Sequence, residues 1–162
     1  MAGRRTKPVV VFLGNPLMGD DSIGLRIGRM IGDKLRREGI EVVVTSETGL
    51  SLADYMEGRE TVVMVDAVST GTMSPGTLKV FKLAEAGGNL LSPHYAGLPE
   101  VLGVMRVLNL SPPPNAFLIG VEVSDPYIIS EKLSPELEEK LVFIAEETYR
   151  LILSLMQGSK PQ

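Results

Sequence analysis

VVVFLGNPLMGDDSIG, residues 9–24, is the stretch on which the fold turns. Its first five residues are β-branched, aromatic or aliphatic without a polar break, as in a strand covered on both faces. Gly14-Asn15 then interrupts the run with turn chemistry. From Asp21 onward the pattern becomes helical, with Ile23, Ile27, Met30, Ile31 and Leu35 on one face and Arg26, Arg29, Lys34 and Arg37 away from it. Gly39 supplies the stop. A buried strand, a tight turn and an amphipathic helix are the opening unit of an α/β domain.

Downstream the same alternation recurs. Residues 40–45 (IEVVVT) read as a second strand, the polar turn SETG leads to a short helix near 50–57, and residues 61–67 (TVVMVDA) read as a third, nearly all-apolar strand. Residues 77–83 (TLKVFKL) alternate polar and apolar, which predicts a strand with one wet face at a sheet edge, open to antiparallel pairing. A long Gly-containing loop, 84–97, carries His94 and precedes a helix over 98–109 with Pro99 in its first turn. After Pro112–Pro114, residues 115–123 (NAFLIGVEV) read as the fifth strand. The last helix takes Ser134 as N-cap and Pro135 at its first position, then Leu137, Leu141, Ile144, Ala145, Thr148, Leu151, Ile152 and Leu155 at helical spacing. The order β-α-β-α-β-β-α-β-α implies a three-layer α/β/α sandwich around a mostly parallel sheet of about five strands. Right-handed crossovers put the loops after strands one and three on the same edge, where such sheets bind ligands.

Composition narrows the setting. A chain of 162 residues, 44% hydrophobic with formal charge −4, is one domain's worth, with an ordered core expected over about 8–157 and a frayed GSKPQ tail. The absence of cysteine excludes disulfides and thiolate metal sites, in keeping with a reducing cytoplasm. Mild acidity argues against a nucleic-acid partner, and VVVFLG is too short to span a membrane.

Against that background the chemistry-bearing residues are few. His94 is the single histidine. Asp20 and Asp21 open the first helix, where acids are favoured by unsatisfied amides; only one of the pair can be the N-cap, and Asp20 is assigned that role. Asp66 follows four apolar residues and is either a buried carboxylate needing partners or a turn-forming Asp. Asp20 or Asp21, Asp66 and His94 thus make a candidate O, O, N set, with a plain surface-loop reading also open to His94. Glu47 and Thr48 sit in a polar turn after strand two that could also line the cleft. GNPLMG matches neither nucleotide-binding glycine pattern, and the adjacent acids would repel a phosphate. No serine stands in a G-x-S-x-G elbow.

Together GNPLMGDDSIG, VVMVDAV and SPHYAGLPEVL resemble, in order and separation, the maturation endopeptidases of nickel–iron hydrogenases over roughly residues 8–155. The family has a strand followed by GNxLxxDDGxG, an Asp at the end of the third strand and a His in a later loop; Ser22 stands here where a Gly is common. The resemblance implies a mixed five-stranded sheet and an aspartic-type endopeptidase that removes the C-terminal extension of the hydrogenase large-subunit precursor. It also implies that Asp21, Asp66 and His94 contact metal and that Asp21 and Asp66 serve the hydrolysis. The metal is then nickel carried by the substrate, not a permanent cofactor. The protein is expected to be largely metal-free as purified and to accept zinc, cadmium or nickel on soaking. A helix opening after His94 is expected to help keep its imidazole neutral. A metal-recognising maturation chaperone without catalysis and a flavodoxin-like small-molecule binder are the alternatives; oligomeric state is not legible.

Overall fold

Residues 7–83 and 98–158 are described by the computed structural model of the chain. They form β1 (Val9–Leu13), α1 (Ile23–Arg37), β2 (Glu41–Thr45), α2 (Ala53–Met56), β3 (Thr61–Val68), β4 (Leu78–Lys82), α3 (Leu98–Val107), β5 (Asn115–Glu122) and α4 (Pro135–Gly158). Short 3-10 segments, Gly19–Ser22 and Gly49–Leu52, lead into α1 and α2.

One sheet has the order β2-β1-β3-β5-β4. The β1–β2, β1–β3 and β3–β5 pairs are parallel, and β4 runs antiparallel to β5 at the edge. The sheet is therefore mixed and five-stranded, and the alternation in TLKVFKL correctly marks its antiparallel edge. All of β1 and β3 is buried, whereas β4 is half exposed. Two apolar layers account for this. Val10, Phe12, Val63 and Val65 meet α1 and α4 on one face, and Val9, Val11, Val62 and Met64 meet α2 and α3 on the other.

Local chemistry explains where the helices stop. At the end of α1, Gly39 adopts φ +81° and Ile40 N–H reaches back to the Leu35 carbonyl, a Schellman closure. Asn109 does the same for α3 with φ +56°, its neighbour Leu110 donating to the Met105 carbonyl. In α4, Leu137, Leu141, Ile144, Ala145, Thr148 and Ile152 are buried as their spacing predicts, with Thr148 Oγ1 donating to the Ile144 carbonyl at 2.7 Å. The first turn of α4 closes through Glu138 N–H on the Ser134 carbonyl.

Helix α1 corrects one expectation. Met30 is 46% exposed, although Ile23, Ile27, Ile31 and Leu35 are buried. The contact line runs through small residues that hydropathy ignores. A Cβ on Gly24 would lie 2.2 Å from the Leu13 carbonyl oxygen and 2.8 Å from that of Val65. Glycine there lets the helix start directly on the ends of β1 and β3, and Met30 falls on the flank of the buried stripe.

Buried carboxylates at the carboxyl edge of the sheet

The parallel strands β1, β3 and β5 end on one edge, and the first chemical group presented there is the turn from β1 into α1. Gly14 has no room for a side chain, since a Cβ would sit 2.6 Å from the Asp21 carbonyl oxygen. Asn15 folds the chain: its Oδ1 accepts from Leu17 N–H at 2.9 Å, and its own N–H donates to Asp21 Oδ2 at 3.1 Å. Gly19 completes the turn at φ +53°. The motif GNPLMGDD is thus a device that turns the chain back on itself and places Asp21, 1% exposed, against the end of β1. Ser22, the departure from the common glycine, is accommodated by donating to the Gly19 carbonyl at 2.7 Å.

Asp20 does not take the capping role expected of it. Neither the 3-10 segment nor α1 has a side-chain cap, and Asp20 Oδ1 instead accepts from Ser134 N–H, at the head of α4, at 2.6 Å. The neighbouring backbone explains why. Gly19 N–H donates to the Ser130 carbonyl and Ser130 N–H to that of Leu17, so the loop before α4 is strapped across the 17–20 turn and presents an amide to Asp20.

Asp66 lies inside β3, which continues to Val68 by pairing with β5. The β1–β3 register stops at Phe12–Val65, so Asp66 is the first β3 residue beyond that ladder. The side chain is fully buried, and its Oδ1 accepts from Ala67 N–H at 2.8 Å. That bond is local, but the residue is extended and paired with Gly120, so the turn-forming alternative is excluded. Alternation puts Asp66 on the sheet face that carries α2 and α3. The 3-10 segment bearing Asp21 packs against β3, so both acids belong to adjoining elements at the point where the strand order reverses.

A further buried acid was not singled out from the sequence. Glu122, 2% exposed, ends β5 opposite Val68 and accepts from Thr70 N–H at 2.9 Å and from the Thr70 hydroxyl. It holds the loop that leaves β3. The signal was present, a single acid in the apolar run NAFLIGVEV, as Asp66 is in VVMVDAV.

Glu47 proves to be part of the polar turn. It is exposed and accepts from the hydroxyls of Tyr55 and Thr45, with Thr45 Oγ1 also accepting from Glu47 N–H at 3.1 Å. The Tyr55 bond, then the Thr45 bond, hold the Glu47 carboxyl below its ordinary value, and the same Glu47 bond raises the Tyr55 phenol. Thr48 precedes the second 3-10 segment in extended conformation and accepts from the Ser51 hydroxyl through its carbonyl.

His94 lies outside the described residues, so its place relative to Asp21 and Asp66 is not part of this geometry. Among the described residues no group of three His, Cys, Asp or Glu side chains is placed to hold a metal ion. Asp21 and Asp66 contribute oxygen donors only, and these suit hard or borderline cations better than soft ones.

Fold and geometry together define an α/β domain with acidic groups buried at the strand-order reversal. The hydrogenase maturation protease family model (HycI) matches residues 30–151, most of the chain, a span that includes Asp66 and His94 and begins after Asp21. The hydrogenase 2 maturation protease of Escherichia coli K12 is 28% identical over 149 residues, covering 85% of this chain and 90% of that protein. Protein FrxA of Pyrococcus furiosus is 31% identical over 146 residues, covering 86% and 98%. The structure of the hydrogenase maturating endopeptidase HybD from E. coli superposes with a TM-score of 0.68 at 24% identity, over 92% of this chain and 93% of that one, and shares the fold. The chain belongs to the hydrogenase maturation protease family and is a hydrolase, an endopeptidase. Among the described residues no helix is long and apolar enough to cross a membrane.

Proposed function

We propose that this protein removes the C-terminal extension from a nickel–iron hydrogenase large-subunit precursor in the cytoplasm, after nickel has entered the precursor. It recognises that nickel through Asp21, Asp66 and His94. The observation that carries this reading is the burial of Asp21 and Asp66 on adjoining elements at the carboxyl edge, in a chain of this family. Carboxylates are seldom buried in an apolar sheet, and their placement beside the strand-order reversal, where open α/β sheets bind ligands, supports a role for them in the reaction.

The reaction is peptide hydrolysis of aspartic type. A water held at the Asp21 and Asp66 carboxylates attacks the scissile carbonyl carbon, and a carboxylate accepts its proton. The carbon–nitrogen bond breaks as the proton passes to the leaving amine, releasing the extension with a free amino terminus. Nickel in the precursor is part of the substrate and marks it as ready. The donor set has no thiolate, so it inspects nickel without competing strongly with a thiolate-rich hydrogenase centre.

The test is incubation of the purified protein with nickel-loaded and nickel-free precursor, scored by mass. Loss of the extension from the loaded form alone is the expected outcome, and His94→Ala should remove both that discrimination and uptake of zinc or cadmium on soaking. Equal cutting of nickel-free precursor would refute nickel recognition. Binding without any cleavage by the wild-type protein would establish a chaperone instead.

A further inference from the structure

The strap that crosses the 17–20 turn carries an apolar surface that the fold does not use. Leu17 is 57% exposed, Tyr127 66%, Ile128 57% and Ile129 84%. The four are not scattered. Met18 and Ser130 form a parallel β-bridge, the Leu17 carbonyl accepts from Ser130 N–H at 3.0 Å, and a Cβ on Gly19 would lie 3.1 Å from the Ile128 carbonyl oxygen. Asp20 and Asp21 follow directly on the same turn, with Asp20 tied to the far end of the strap at Ser134. Exposed large apolar side chains cost solubility, and a group of them on bridged backbone segments beside the proposed site marks an interaction surface.

We infer that Leu17, Tyr127, Ile128 and Ile129 form the docking surface for an apolar stretch of the precursor polypeptide next to its scissile bond. This rests on the proposed reading of the site and adds to it the chemistry by which the polypeptide is held. An endopeptidase must fix several residues of an extended chain, and aliphatic and aromatic side chains do so without competing for the water and the carboxylates at the edge. The backbone bridge makes the surface a continuation of the turn that holds Asp21, so substrate seated there is registered against the catalytic carboxylate. All four residues are more than half exposed, so changing them leaves the core intact.

The experiment compares wild type with a Leu17→Ser, Ile128→Ser, Ile129→Ser variant on the purified nickel-loaded precursor, measuring equilibrium binding and steady-state cleavage. Kd and KM should rise at least about tenfold, the scale of losing apolar anchors, with kcat within about twofold. Thermal melting should be unchanged, and Ile129→Ser alone, at the most exposed position, should raise KM about threefold if the triple variant folds poorly. Phe143→Ser is the control, on the separate groove between β4 and α4 lined by Thr77, Leu78, Phe143, Ile144 and Leu151. Unchanged Kd and KM in the strap variant, or an equal rise in the Phe143 variant, would overturn the inference while wild-type cleavage keeps the proposed function. Loss of binding in the strap variant of a protein that binds but does not cleave would keep the docking surface and reject the proposed reaction. A wild-type protein that neither binds nor cleaves the precursor would refute both.

Discussion

The two edges of the sheet bury charge in opposite ways. At the amino edge Arg59, with a side chain 1% exposed, meets the Glu41 carboxylate at 2.6 Å and donates to the Lys7 carbonyl at 3.0 Å. This is a buried charge answered by an opposite charge and a main-chain acceptor, linking the starts of β1, β2 and β3. At the carboxyl edge Asp20, Asp21, Asp66 and Glu122 are all buried, and each accepts from a main-chain amide: Ser134, Asn15, Ala67 and Thr70. A charge matched by its neighbour serves the fold. The acids of the carboxyl edge are gathered on main-chain amides beside the strand-order reversal, the edge to which the proposed function assigns the substrate.

The contrast is broken or sharpened first by Asp66→Asn and Asp21→Asn. Both are nearly isosteric, and an amide oxygen can still accept from Ala67 or Asn15 N–H. Cleavage should fall at least about 100-fold, the size of lost acid–base assistance, while the folded state survives, as a thermal melt would show. Normal cleavage by folded Asp66→Asn protein would show that the carboxyl edge is structural after all.

Gly24→Ala should be the most damaging change to stability. Its Cβ would meet the Leu13 and Val65 carbonyl oxygens, which are backbone and cannot swing aside, so a loss of about 3 kcal/mol is expected in denaturant unfolding. The displacement would also carry Asp21 away from β3, lowering cleavage beyond the loss of folded protein.

Glu41→Gln tests the amino edge. It leaves Arg59 buried without its carboxylate, but Glu41 is itself 47% exposed and the pair is partly screened, so about 1–2 kcal/mol should be lost. Cleavage per folded molecule should not change; a drop in kcat would mean that the two edges are coupled.

The smallest effect belongs to Glu47. Its carboxyl is held below the ordinary 4.5 by the Tyr55 and Thr45 hydroxyls. Its contribution is therefore present above about pH 4.5 and is lost as pH falls through the lowered folded value. In an NMR titration Tyr55→Phe should move the Glu47 carboxyl up toward 4.5, with cleavage untouched, as befits a residue of the polar turn.

What the sequence determined by itself is whatever neighbouring residues decide together. Hydrophobic period, glycine stops and turn residues are local, so VVVFL, TVVMVDA, the wet alternation of TLKVFKL and the last helix were legible, and with them the three-layer order. Asp66 was legible as a buried acid because one charge in an apolar run needs no partner to be noticed; Glu122 gave the same signal in the fifth strand. The tertiary structure alone decided what each acid does. Asp20 reads as a helix cap until a chain segment 114 residues away offers it the Ser134 amide. Gly14 and Gly24 read as neutral until the Asp21 carbonyl and the ends of β1 and β3 arrive where a side chain would be. A local pattern fixes which elements form, because their hydrogen bonds and buried faces repeat along the chain. The assignment of a polar group depends on which distant amide or carbonyl packing delivers to it, and that distance is not written in any short stretch of sequence.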